Sequence, residues 1–110
     1  MGWVEQAYEL ITVVLALRNE NYDEMHPESL ESKAVLAQCC VKLGLTEEAE
    51  VLLQEVAFKR EVVLGPTEKY TLRSKAEYAD FLFEIKKVEE ARKVNSEVIE
   101  MRAKTRGQAA

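Results

Sequence analysis

The chain has 110 residues, 47% of them hydrophobic and 32% charged, with a formal net charge of −5. That composition suits a soluble globular or helical protein and argues against disorder. The acidic balance speaks against nucleic acid and anionic membrane surfaces as partners, because both reward basic patches.

Four Gly and two Pro leave little room for hairpins and favour long helices joined by short turns. Cys39 and Cys40 are adjacent, so they read as small buried residues of a reducing compartment rather than as a staple. The apolar run Leu10 to Leu17 is far shorter than the roughly 20 residues a membrane span needs. Met1-Gly2-Trp3 carries no basic signal region before Glu5. The expectation is a cytoplasmic protein with no membrane contact.

In chain order, the first predicted helix covers 3–20, with Ala7, Leu10, Ile11, Val14 and Leu17 at helical spacing. A polar stretch from Asn19 to Glu28 ends it. Pro27 opens a second helix over 27–43, which Gly44 closes. Thr46 is the expected N-cap of the third helix, 46–64, with Glu47 and Glu48 at the positive end of its dipole. Gly65-Pro66 stops that helix, a fourth covers 68–86, and a fifth runs over 88–105.

The chain repeats itself with a step of 42, since 49 − 7 = 42 and 91 − 49 = 42 for Ala7, Ala49 and Ala91. The same step relates Val14, Val56 and Val98, and Arg18, Arg60 and Arg102. Leu30, Ser32, Lys33, Ala34 and Ala37 map onto Leu72, Ser74, Lys75, Ala76 and Ala79. A period of this length marks a solenoid, whose units stack because none buries its apolar face alone. Small residues in the Ala slots let antiparallel helices approach closely, where larger ones would overpack.

Helix pairs with small residues at the crossing and a Gly after the first helix resemble the tetratricopeptide repeat (TPR). Its common unit is 34 residues. The longer unit here resembles the kinesin-light-chain type. His26-Pro27, Ser29-Leu30, Ser32, Leu36-Ala37, Gly44 and Glu48-Ala49-Glu50 carry the likeness in one copy. Leu64-Gly65-Pro66, Thr71-Leu72, Ser74, Ala79 and Glu90-Ala91 carry it in the next. The resemblance implies an all-α fold, a right-handed superhelix of antiparallel helix pairs with five helices in the order B-A-B-A-B. It implies one domain over 1–110, the C-terminal part of a longer array. Where the family often has two Asn that grip a peptide backbone, this chain has Ala34-Val35 and Ala76-Glu77.

Chemistry has little purchase in these residues. The one histidine belongs to no pattern that holds a base against an activated Ser, Cys or Thr, so no catalytic residue and no enzyme activity is expected. His26 beside Asp23, Glu24 and Glu28 reads as a helix-start residue, and no metal or cofactor is expected. The expected function is a protein-interaction scaffold that binds a peptide or helix in the concave groove lined by A helices. By family slot, Glu31, Val35, Gln38, Val41 and Lys42, then Arg73, Glu77, Asp80, Phe83 and Glu84, line it. Its acidic excess calls for a basic or mixed-charge partner, and Phe83 is either the anchor of that partner or a residue that completes the inter-repeat core.

The rival reading is a terminal cap or oligomerisation segment that self-associates through the first helix. At four B-helix slots the first copy is apolar and the last polar. Tyr8, Ile11, Val13 and Ala16 stand against Arg92, Asn95, Glu97 and Glu100. Tyr8, Ile11, Val13, Leu15 and Ala16 are therefore the expected strip through which a homodimer forms.

Overall fold

The computed structural model describes residues 2–109, with side chains to Gly107. It contains five α-helices, and among the described residues there is no strand. The helices are α1 Trp3–Asn21, α2 Pro27–Leu43, α3 Thr46–Leu64, α4 Lys69–Glu84 and α5 Val88–Ala109. The chain divides into two compact units, Met1–Val56 and Ala57–Ala110, with the break inside α3. Repeat units contact mainly their neighbours along the chain, so compactness is local.

In the first unit α1 packs on α2. The entry to α2 is built by His26, whose Nδ1 accepts the Glu28 N–H at 3.0 Å while Pro27 takes the first helical position. The His26 ring also stacks on Tyr22, with centroids 4.1 Å apart. Arg18 ties the end of α1 to α2. Its guanidinium donates to the Ser32 hydroxyl at 2.7 Å and the Glu28 carbonyl at 2.8 Å, and pairs with the Glu28 carboxylate at 3.1 Å. Leu30, Leu36, Ala37, Cys39 and Cys40 form the core with Ala49, Leu53 and Val56 of α3.

Gly44 adopts φ 76° and closes α2. Its N–H donates to the Val41 carbonyl and that of Leu45 to the Cys40 carbonyl, the paired bonds of a left-handed cap. The cap of α3 differs from expectation. Thr46 is already helical, and the Ala49 N–H bonds to the Leu45 carbonyl. The Thr46 hydroxyl turns back to the Gly44 carbonyl at 3.5 Å instead of serving the N–H groups ahead.

The second unit repeats this plan. Arg60 Nη1 donates to the Ser74 hydroxyl at 2.8 Å, as Arg18 does to Ser32 fourteen residues on. Lys75 is buried and pairs with Glu61 and Glu97; Lys33 and Glu55 make the corresponding pair one repeat earlier. α5 packs on α4, burying Ala91 and Val98 with Leu72, Ala79, Phe81 and Leu82.

α4 is shorter than the predicted 68–86 at both ends. Glu68 is its N-cap, accepting the Tyr70 N–H at 2.6 Å. Lys86 stands in the Gly44 slot with φ 71° and closes α4 with the same two bonds, to the Phe83 and Leu82 carbonyls via the Lys86 and Lys87 N–H groups. α5 continues past 105 to Ala109, because neither proline nor a left-handed residue interrupts it.

Candidate partner-binding faces

At about 100° per residue, Val35, Gln38, Glu31, Lys42, Ala34 and Val41 fall within an arc of about 120° on α2. Val35, Gln38, Glu31 and Lys42 are exposed, and Ala34 and Val41 half-buried. In the second unit, Arg73, Ala76, Glu77, Asp80, Phe83 and Glu84 fill an equal arc of α4, opposite buried Leu82 and Tyr78. Phe83 is 39% exposed, although its spacing with Leu72, Ala76 and Ala79 also suits a core position. Arg73 Nε donates to Glu77 at 3.2 Å, an i,i+4 pair that compensates both charges. Asp80 and Glu84 are then the carboxylates that give the surroundings of Phe83 their acidic character.

The apolar strip on α1 lies elsewhere than the slot comparison predicts. Tyr8, Ile11 and Leu15 are half-buried. They share a side with Arg18, and the bonds from that side run to Ser32 and, from the Tyr8 hydroxyl, to Glu48 at 3.0 Å. That side therefore rests on α2, with the Tyr8 hydroxyl reaching Glu48 of α3. Val13 and Ala16 are exposed. The uncovered apolar line consists of Trp3, 78% exposed, Ala7, Leu10, 67% exposed, and Leu17, with Val14 half-exposed among them. The physical reason is the repeat itself. These are the slots of Ala91 and Val98, which α5 buries against α4, the helix before it. No residue of α1 is buried.

The remaining candidates are structural. Cys40 is fully buried, and burial pushes its thiol up to about 11, away from the thiolate that reactivity needs. The lone pair of His26 Nδ1 is committed to the helix start. Among the described residues no group of His, Cys, Asp and Glu converges on a metal-binding geometry, and no helix is long and apolar enough to cross a membrane. Val51, Phe58 and Val62 of α3 are exposed apolar residues that periodicity alone does not flag. The signal was available, since the same slots elsewhere are mostly charged.

No family model matches the chain. Clustered mitochondria protein homologs from Culex quinquefasciatus and Aedes aegypti are each 35% identical over 78 residues, 71% of this chain but 5% of theirs. A Podosopora anserina protein of the kinesin-light-chain kind, with nearly identical TPR-like repeats, superimposes with a TM-score of 0.86 at 30% identity. A point variant of it matches equally, and in both cases the alignment covers 94% of this chain and 49% of that one. The chain thus spans about half the length of these solved relatives and a small part of the curated ones. Five helices, a 42-residue repeat and these neighbours agree: the chain has the TPR-like repeat fold of the kinesin-light-chain type.

Proposed function

We propose that the chain is a non-catalytic scaffold that binds a protein partner through the exposed faces of its A helices, α4 foremost. The observation that carries this reading is Phe83. An aromatic ring set beside Asp80 and Glu84 on an otherwise charged helix face is a suitable anchor for an interface, where aromatic residues concentrate the energy. The acidic surroundings favour a basic or mixed-charge segment. Electrostatics there act mainly on association rate and partner choice. A partner helix or extended peptide fits the mode in which an apolar anchor meets a grooved or ridged helix surface. The buried thiols of Cys39 and Cys40 suit the reducing cytoplasm. The test is capture from cell lysate with parent and Phe83→Ala protein, followed by titration of the captured segment. A partner held equally by both proteins sinks the reading.

A second reading is favoured by one observation, the uncovered apolar line on α1. In it the chain is an oligomerisation segment, and two copies pair through Trp3, Ala7, Leu10 and Leu17. Leu10→Glu distinguishes the two readings. It breaks a dimer and leaves the α4 face untouched.

A further inference from the structure

By the 42-residue step taken twice, Tyr8, Ile11, Leu15 and Arg18 of α1 correspond to Arg92, Asn95, Ile99 and Arg102 of α5. On α1 this side rests on α2. Arg18 donates there to the Ser32 hydroxyl and the Glu28 carbonyl and pairs with the Glu28 carboxylate. On α3, Ala57 in the slot of Ile99 is buried, and Arg60 in the slot of Arg102 donates to Ser74 of α4. On α5 the same side is open. Ile99 is 58% exposed, and Arg92 and Arg102 are exposed with it.

Val88 and Arg106, both exposed, extend the line. At about 100° per residue, Val88, Arg92, Asn95, Ile99, Arg102 and Arg106 fall within an arc of about 80°, along about 27 Å of helix. The arc borders the side of Ala91 and Val98, which α5 buries against α4. It holds three arginines and no Asp or Glu, in a chain whose net charge is −5. Little compensates them. Arg92 has Glu89 at 3.9 Å, a loose pair of two exposed side chains that contributes little. Arg102 and Arg106 make no ion pair among the described residues. Cations near a helix C-terminus suit its dipole, which accounts for Arg106 in the last turn. It does not account for Arg92 near the start of α5, nor for three arginines sharing one side with exposed Val88 and Ile99.

We propose that this side of α5 is a second docking surface, one that takes an acidic amphipathic helix of a partner protein. Val88 and Ile99 meet the apolar residues of that helix. Arg92, Arg102 and Arg106 take its carboxylates, as Arg18 takes that of Glu28 from α2. The planar guanidinium suits a carboxylate at such a site. One helix laid on another buries less than a standard interface, so binding belongs to the weak, reversible class. The surface lies wholly within the second unit and is distinct from the α4 face, whose acidic surroundings favour a basic segment.

The experiment titrates the full chain with a fluorescent Leu/Glu peptide of roughly 18 residues, long enough to form a helix, with Leu at helical spacing. Comparison peptides carry Lys for Glu, or the same residues in scrambled order. Attraction by net charge alone favours the Lys peptide, because the chain is acidic. The proposal predicts the reverse, with the Leu/Glu peptide bound at least ten-fold more tightly than the scrambled one. Arg102→Glu with Arg106→Glu should weaken that binding ten-fold or more, and Ile99→Glu, in the middle of the helix, should do the same. Lys93→Glu with Lys104→Glu changes the net charge as much as the double arginine reversal, about 150° away around the helix. That variant should stay within three-fold of the parent.

The proposal is overturned if the parent does not bind the Leu/Glu peptide or binds the scrambled one equally. It is overturned too if the lysine reversals weaken binding as much as the arginine reversals, or if Ile99→Glu binds like the parent. A parent dimer that Ile99→Glu converts to monomer would overturn it in favour of a second copy of the chain on this side.

Discussion

Lys86 occupies the position where the preceding repeat has Gly44, and both hold the same left-handed backbone, φ 71° and 76°. A lysine meets its own Cβ there and glycine does not. Lys86→Gly should therefore stabilise the protein by about 0.5–1 kcal/mol, less the extra freedom that glycine gives the unfolded chain. Urea unfolding reads this directly, with Gly44→Ala moving the midpoint the other way. Cys39 and Cys40 supply a second residue-scale prediction. Both thiols are buried, and Cys40 is raised to about 11 from an ordinary 9.0, chiefly by burial. Alkylation at pH 8 should be slow in native protein and fast in urea. For the same reason the neutral thiol's contribution to stability is complete below pH 9 and is lost as pH rises toward 11. The sequence showed the cysteines to be adjacent and unsuited to pairing with each other. It did not show Lys86 in a glycine conformation, because nothing about lysine predicts φ above zero; only alignment to Gly44 reveals it.

At the scale of the helix, two side-chain clamps recur with the 42-residue step. Arg18 and Arg60 each reach a serine fourteen residues on, and Lys33 and Lys75 each reach a glutamate twenty-two residues on. The first joins the end of a B helix to the A helix that follows it. Arg60→Ala should cost about 1–2 kcal/mol, the range for a charge-assisted hydrogen bond in a partly screened site. Arg18→Ala should cost a similar amount, and thermal melts of the two variants check both. Helix positions were legible because hydrophobic spacing and the Gly and Pro signals are local. The ends were less so. Glu68 as a side-chain cap and Thr46 as an already helical residue depend on which way a short side chain turns. The exposed line on α1 differs from the slots that change between the first and last copies for a related reason. Comparing the first and last copies finds where composition changes, and that is not the same as finding which neighbour is missing. The buried state of Ala91 and Val98 identifies the uncovered side as that of Ala7 and Val14.

For the whole molecule, the 42-residue repeat carried the fold, and the solved TPR-like neighbours agree with it at a TM-score of 0.86. The binding faces were legible only as slots. Whether a slot such as Phe83 is core or surface depends on packing, which periodicity leaves open for an apolar residue on a mixed face. The uncovered α1 line leads to a prediction about assembly. If it pairs two copies, light scattering across a concentration series should show a dimer that Leu10→Glu converts to monomer. A parent that stays monomeric throughout contradicts self-association. The central claim, that the α4 face holds a protein partner through Phe83, is tested most directly by a binding titration of a captured partner segment. Parent, Phe83→Ala and the double reversal of Glu77 and Asp80 to Lys should be compared at two salt concentrations. Phe83→Ala should weaken binding by more than about 1 kcal/mol with an unchanged thermal melt, and the charge reversals should slow association and flatten its salt dependence. Variants that fold and bind like the parent would contradict it.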